Sequence, residues 1–329
     1  MERFRAFRID QENDQIVAGF RDLSVDDLSP GEVVIKVSHS TINYKDALAA
    51  TGSGRILRTF PLVGGIDLAG TVVSSEDERF DPGNEVLVNG CGLSETVDGG
   101  YAEYARVQAD SVVPVPGGMT AAQAMQIGTA GYTAALAIHR MEQNNQLPEA
   151  GPIVVTGATG GVGSVAIDML DARGYEVFAL TGKADKSDYL RSIGAREILL
   201  RDDVDYGKRP MEKALYGGAI DNLGGDALAW LTRTVKYGGN IASIGLAANL
   251  ALNTTVLPLI LRAVCLIGIN SVDTPRSLRL QVWKRIGGDL RPRHLDIIAT
   301  RTIEFEELPD AFQAYIDGKV TGRLLVKIG

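Results

Sequence analysis

The chain has 329 residues with 33 Lys+Arg against 41 Asp+Glu, a net charge of −8, and that acidic balance excludes a general nucleic-acid or anionic-membrane binder, each of which needs a basic face. With 45% hydrophobic and 22% charged residues, a mainly disordered state is excluded too. Two cysteines, at positions 91 and 265, exclude a disulfide-stapled fold and a four-Cys zinc site, whereas the 38 glycines exceed the roughly 23 that ordinary usage would give.

At ~150 residues per domain, the length predicts two domains. The opening Met1-Glu2-Arg3-Phe4-Arg5 lacks the apolar core of a signal peptide. The longest apolar stretch, 256–269, contains Pro258 and Arg262 and is shorter than the ~20 residues of a membrane span. A soluble, cytoplasmic protein is expected.

In chain order, the first third reads as β-rich, with short strands such as 32–37, 85–88 and 102–107 between Gly/Pro/Asp turns at 29–31 and 81–84. From Thr120 to Met141 the apolar residues take helical spacing, with Gly128 and Gly131 predicted to divide the stretch into two helices. From Pro152 strands and helices alternate, which predicts a parallel sheet. The strands are 153–156, 176–180, 197–200, 219–221, 241–244 and 265–269, with helices such as 161–172 and 226–235 between them. After Asn270 the alternation stops, leaving a helix near 275–285, a strand 302–305, a helix 308–317 and a final strand 323–328. About sixty residues are too few for a third domain, so this tail is expected to rejoin the first.

The strongest local signal is Gly157-Ala158-Thr159-Gly160-Gly161-Val162-Gly163-Ser164, which follows an apolar strand and opens a helix. Glycines there permit a tight turn and close approach of the backbone to a pyrophosphate, whose charge is held by the helix N-terminus. The spacing, Gly157-x-x-Gly160-x-x-Gly163, departs from the usual GxGxxG, and the alternative is a turn that only packs helix on strand. A ribose 2′-hydroxyl site places Asp or Glu at the end of the second strand, ~20 residues on. Here that end reads Thr181-Gly182-Lys183-Ala184-Asp185-Lys186-Ser187, with no acid on the strand itself. Lys183, Lys186 and Ser187 offer cations and a hydroxyl to a 2′-phosphate, so NADP is favoured over NAD; the alternative is two solvated lysines. Arg201, ending the third strand on the same edge, is either an adenine or phosphate contact or a surface arginine. Leu246 and Ser271 follow strand ends, where open α/β sheets bind ligands, and are added as cofactor contacts.

Several segments together resemble the medium-chain dehydrogenase/reductase superfamily over essentially the whole chain: Asn43-Tyr44-Lys45-Asp46, Pro61 to Val72, Gly99 to Tyr104, Ile127 to Ala134 and the phosphate turn. Gly268-Ile269-Asn270-Ser271-Val272 and the closing Gly322 to Ile328 are similar to its quinone-oxidoreductase-like YhdH/YhfP branch, which includes NADPH-dependent acrylyl-CoA reductases. The resemblance implies an α/β chain with a GroES-like β-rich catalytic domain, residues 1–120 and 271–329, and a doubly wound Rossmann NADP-binding domain, residues 121–270. A homodimer is implied by analogy, paired through the strand from Cys265.

Zinc enzymes of this superfamily carry Gly-His-Glu where this chain has Gly65-Ile66-Asp67. His39, His139 and His294 lie far apart and read as structural, so no metal site is expected. The resemblance then implies NADPH-dependent reduction of the C=C bond of a short enoyl-CoA, acrylyl-CoA being favoured. Tyr44 is the candidate for binding the developing oxyanion or supplying the proton, with Asn43 orienting substrate or nicotinamide. A tyrosine hydroxyl of ordinary pKa, near ~10, is protonated at neutral pH, as a donor must be. Asp67, Asp46 and Lys45 are read as a structural polar network, and Arg323 as either a contact for a CoA phosphate or a solvated terminal cation. A quinone or enone reductase and a non-catalytic nucleotide-binding protein are the alternatives.

Overall fold

The computed structural model describes residues 3–329. The chain divides into two compact units: residues up to Thr129 with Ser271–Gly287 and Ala299–Gly329, and Ala130–Asn270 with Gly288–Ile298. The expected domain limits therefore shift at two places, and each shift has a local cause. The helical stretch Ala121–Gln143 is broken at Gly128 alone (φ 50°, ψ −158°), and Thr129 just after the break is tied to Asp67 of the first unit. Gly131 does not interrupt the helix. Residues 288–298 belong with the second unit because the buried Asp168 accepts from the backbone N–H of Arg293 (2.9 Å) and of His294 (3.0 Å) and meets His294 Nδ1 at 2.9 Å.

In the first unit, an antiparallel hairpin of Phe4–Glu12 and Gln15–Leu23 pairs with Leu62–Val63. A larger sheet runs in the order Arg301–Glu304, Leu324–Lys327, Val33–Thr41, Asp67–Ser75, Glu85–Asn89, Val113–Pro114, with Tyr104–Val107 also pairing Val33–Thr41. Alternation along Val33–Thr41 puts Val33, Ile35 and Val37 in the core, as a strand with one buried face requires. The C-terminal tail supplies two strands and the helix Leu308–Ile316. Phe7, Phe20, Phe305 and Phe312 pack hairpin and tail together through ring contacts of 5.0–5.6 Å. Each such side chain stabilises by about 1.5–3 kcal/mol when fully buried.

The second unit contains a six-stranded parallel sheet in the order Glu197–Leu200, Val177–Thr181, Ile153–Thr156, Tyr216–Asp221, Val235–Ser243, Cys265–Gly268. Counted within the unit this is 3-2-1-4-5-6, the doubly wound Rossmann order, whose direction reverses between Ile153–Thr156 and Tyr216–Asp221. Both strands are buried along their whole length, and Ile153–Thr156 accordingly reads as an apolar run without alternation. At the reversal the ends are latched: Thr156 Oγ1 donates to Asp221 Oδ1 (2.7 Å), and Asn222 Nδ2 donates to the Thr156 carbonyl (2.7 Å). Among the described residues no helix is long and apolar enough to cross a membrane.

Candidate active site

Asn43 and Tyr44 sit at the start of a short helix, Tyr44–Thr51. Asn43 is its N-cap, and the Asp46 carboxylate reaches back to the Asn43 backbone N–H at 2.8 Å. The spacing Asn43-x-x-Asp46 is a capping-box pattern, a helix-start signal carried by the local sequence. Asp46 Oδ1 also accepts from the Ile66 N–H (2.9 Å), so one buried carboxylate fastens the helix to the segment before the strand Asp67–Ser75.

The Asn43 side chain is fully occupied inside the protein. Its Nδ2 donates to Asp67 Oδ2 (2.7 Å) and Asp46 Oδ2 (3.1 Å), and its Oδ1 accepts from Arg323 Nη1 (3.0 Å). The amide predicted to orient substrate or nicotinamide is thus held by Asp46, Asp67 and Arg323. Tyr44, the first residue of the helix, is 52% exposed. Arg323 overturns both expectations for it: it is 4% exposed, neither solvated nor open to a CoA phosphate. Besides Asn43, it donates to Thr41 Oγ1 (2.8 Å) and to the carbonyls of Gln126 and Ile42. Nothing in its local sequence announces this, because its partners lie some 200–280 positions away.

Asp67 completes the network, accepting from the Thr129 N–H (2.9 Å) and Thr129 Oγ1 (2.7 Å). Burial raises its pKa; the Arg323 guanidinium and these donors oppose that shift. Burial also raises Asp46, to about 7, and the neighbouring Asp67 charge adds to the shift, while the N–H donors resist it. Gly128 is required where the network closes. Its φ is +50°, and a Cβ there would lie 2.6 Å from Arg323 Nη2 and 3.0 Å from Asp67 Oδ2. Lys45 lies outside this cluster and pairs with Glu95 at 2.5 Å. Ile66, in the place of the zinc enzymes' histidine, is 3% exposed, and no group of three His, Cys, Asp or Glu among the described residues could hold a metal ion.

In the second unit, the phosphate turn fits a pyrophosphate. Gly157 has φ +60°, and a Cβ on Gly163 would lie 2.4 Å from the Gly157 carbonyl oxygen, so turn and helix close only with glycine at both. Gly160 caps the helix Gly161–Ala172 with no side chain, which leaves the first helical N–H groups, including those of Gly161 and Val162, as donors for an anion. Thr159 is buried within this turn. Ser164 plays a different part from the expected contact: it is 0% exposed, and its Oγ donates to the Ala158 carbonyl (3.2 Å), holding the turn from inside.

The loop after Val177–Thr181 carries the residues expected to meet a 2′-phosphate. The Arg201 guanidinium lies over Gly182, 3.3 Å from where a Cβ would be. Lys183 follows directly, its N–H donating to Thr181 Oγ1 (3.0 Å), and burial together with Lys186 lowers its pKa. Thr181 Oγ1 is the acceptor in that bond, and Ser187 Oγ donates to the Ala184 carbonyl (2.8 Å). Lys186 pairs with Asp185 and Arg201 with Asp202, both at 3.1 Å and both solvated, so neither pair binds its cation firmly. Leu246 is 65% exposed beyond Val235–Ser243. Ser271 falls in the first unit, in a loop whose Val272 and Thr274 carbonyls accept from the buried Arg279.

Comparison with known proteins agrees with this architecture. Residues 29–117 match the alcohol dehydrogenase GroES-like domain, and residues 161–286 match the zinc-binding dehydrogenase family. The chain is 44% identical over 326 residues to YhfP of Bacillus subtilis, named as a quinone oxidoreductase, covering 99% of each chain. A crystal structure of YhfP with NAD bound superposes with a TM-score of 0.97, covering 100% of both chains. The chain is 43% identical over 320 residues to the acrylyl-CoA reductase AcuI of Ruegeria pomeroyi, covering 97% of each. The YhdH oxidoreductase of Salmonella enterica, solved in complex with NADP, is 45% identical with a TM-score of 0.95, over 99% of this chain and 100% of that one. The chain therefore belongs to the medium-chain dehydrogenase/reductase superfamily, in its quinone-oxidoreductase-like YhdH/YhfP branch.

Proposed function

We propose that the protein is an NADPH-dependent reductase of the C=C bond of a short enoyl-CoA, converting acrylyl-CoA to propionyl-CoA. The observation that carries this reading is the pairing of an exposed phenol with a rigid mount. Asn43, Asp46, Asp67 and Arg323 fix the helix start that presents Tyr44, while Ile66 and Asp67 leave no imidazole–carboxylate pair there. The AcuI relative supports the substrate class. Lys183 and Arg201 support NADPH over NADH, with the phosphate turn of Gly157 to Gly163 holding the pyrophosphate.

Bound NADPH supplies the hydride. As it reaches the β-carbon, the π electrons move onto the thioester oxygen, and Tyr44 stabilises that oxyanion or gives its proton to the α-carbon. The sum is acrylyl-CoA, NADPH and a proton in, propionyl-CoA and NADP+ out.

Loss of nicotinamide absorbance, compared among acrylyl-CoA, crotonyl-CoA, free acrylate and benzoquinone, tests the reading. Turnover of the CoA thioesters is expected. Activity with benzoquinone alone would establish the second reading, a quinone reductase, which the name of the YhfP relative favours. Activity with none would leave a nucleotide-binding protein. Tyr44→Phe is expected to lower turnover of acrylyl-CoA at least tenfold, and a change within about twofold would remove Tyr44 as the donor.

We also infer a homodimer through the second unit. Cys265–Gly268 is the last strand of its sheet. Near it in sequence, Val256, Ile260, Leu261 and Leu266 are each 40–69% exposed, an apolar set that a solvated surface does not need.

A further inference from the structure

Because Arg323 is buried, the phosphates of a CoA thioester need other cations. The first unit has a polar cavity of about 320 Å³ lined by Lys45, Arg55, Ile56, Leu57, Arg58 and Glu95. We propose that this cavity binds the phosphate end of the CoA substrate through Arg55 and Arg58; the inference rests on the enoyl-CoA reading above and locates its substrate recognition.

Three cations face one carboxylate in this cavity, on a chain whose overall charge is −8. Glu95 is committed to Lys45 (2.5 Å), which leaves Arg55 and Arg58 without an ion pair or side-chain hydrogen bond among the described residues. Neither arginine rides on a loose loop. The Gly54 N–H donates to the Leu48 carbonyl (3.2 Å), the Arg58 N–H to the Glu95 carbonyl (2.7 Å), and Leu57 between the arginines is 3% exposed. The two guanidiniums are therefore held on a fixed backbone while their donor edges stay free, an arrangement that lowers the ordering cost of binding an anion. Guanidinium forks match phosphate oxygens in pairs, and CoA carries a diphosphate and a 3′-phosphate that a quinone lacks.

Position links the cavity to the chemistry. Lys45 follows Tyr44 on the first turn of the same helix, so the cavity wall and the proposed donor are carried by one rigid element. The flexible pantetheine arm joins a phosphate end held by Arg55 and Arg58 to a thioester free to reach Tyr44. Binding energy gathered at the phosphates then raises the occupancy of the site and is expressed in KM rather than in kcat.

The test is the double substitution Arg55→Glu/Arg58→Glu, at exposed positions outside the reacting groups. Steady-state constants are measured for acrylyl-CoA, for acrylyl-pantetheine, which has no phosphates, and for NADPH. The expected result is a KM for acrylyl-CoA raised at least tenfold with kcat within about twofold, and KM values for acrylyl-pantetheine and NADPH within about twofold of the parent. An unchanged KM for acrylyl-CoA overturns the inference, as does an equal rise with acrylyl-pantetheine. A rise for NADPH alone overturns it too, by giving the cavity to the cofactor. A parent protein inactive on acrylyl-CoA would defeat the enoyl-CoA reading itself, whereas an active parent with an indifferent double variant defeats only this inference.

Discussion

Arg323 Nη1 lies 3.0 Å from Asn43 Oδ1, and through that one amide a buried guanidinium is joined to two buried carboxylates, because Asn43 Nδ2 donates to both Asp46 and Asp67. One cation thus stands against two acids in a region closed to water, and Arg323 balances only one of them. Replacing Arg323 by methionine keeps much of its volume and removes its charge, so Asp67 loses the cation that opposes its upward shift. The expected cost is about 3–5 kcal/mol of stability, the range for breaking a buried pair from one side. Urea unfolding of Arg323→Met, Asp67→Asn and the double variant measures it, and the double variant should be more stable than the sum of the single losses predicts. Strict additivity would mean that the two groups are not energetically coupled.

The second acid gives the protein a pH signature. Asp67 has Arg323 opposing its upward shift, whereas burial lifts Asp46 to about 7, well above the ordinary carboxylate value near ~3.9. Between those values the folded state keeps a proton that the unfolded chain has released. The contribution of Asp46 is therefore fully present below about pH 4 and is lost as pH rises through about 7, at up to ~1.4 kcal/mol per pH unit. Asp46→Asn removes the titration, although it also replaces one of the two oxygens that accept from the N–H groups of Asn43 and Ile66. The variant should be less stable overall, and its stability should fall less steeply than the parent's from about pH 4.5 to 7.5. Parallel curves from urea titrations would show that Asp46 does not hold the proton.

These two groups also mark where the sequence stopped being readable. The second unit was legible because its physics is local. Ile153–Thr156, Gly161–Ala172 and Glu197–Leu200 fall where apolar runs and glycine turns predict them, and Arg201 lies over Gly182 because parallel strand ends share one edge of a sheet. The network of the first unit depends on tertiary closure. Arg323, at the entry to the last strand, reaches Asn43 only because Leu324–Lys327 pairs with Val33–Thr41, a register that no local pattern encodes. The fate of Ser164 was hidden for a related reason, since a serine in the first turn of a helix can face the ligand or the turn behind it, and packing decides. The capping pattern Asn43-x-x-Asp46 was local, and it could have placed the helix start from sequence alone.

Cofactor preference should follow the cations beside Gly182. Arg201 lies over that glycine, and Lys183 is next to it with an ammonium destabilised by burial and by Lys186, so a 2′-phosphate would relieve the strain of like charges. Lys183→Ala and Arg201→Ala are each expected to raise the KM for NADPH about tenfold, the loss of one charge-assisted contact, and to leave the KM for NADH within about twofold. Steady-state titration of both cofactors at saturating substrate checks this. Equal effects on NADPH and NADH would move the two residues from phosphate recognition to general support of the loop.

The proposed dimer makes its own prediction, because the exposed apolar set lies on and just before the edge strand. Ile260 is 69% exposed and Leu261 60%, at the end of the short helix Leu257–Leu261, while Leu266 on the strand is 40% exposed. An aspartate introduced at such a position costs little in a monomer, where the site faces water, and much in a dimer, where an unpaired charge would be buried. Ile260→Asp should therefore leave thermal unfolding of the monomer nearly unchanged while shifting the mass seen by light scattering from two chains to one. Adding Leu266→Asp should complete the shift if Ile260→Asp leaves a mixture. A parent protein that already scatters as a single chain removes the proposal, and a variant that remains dimeric places the interface on another face.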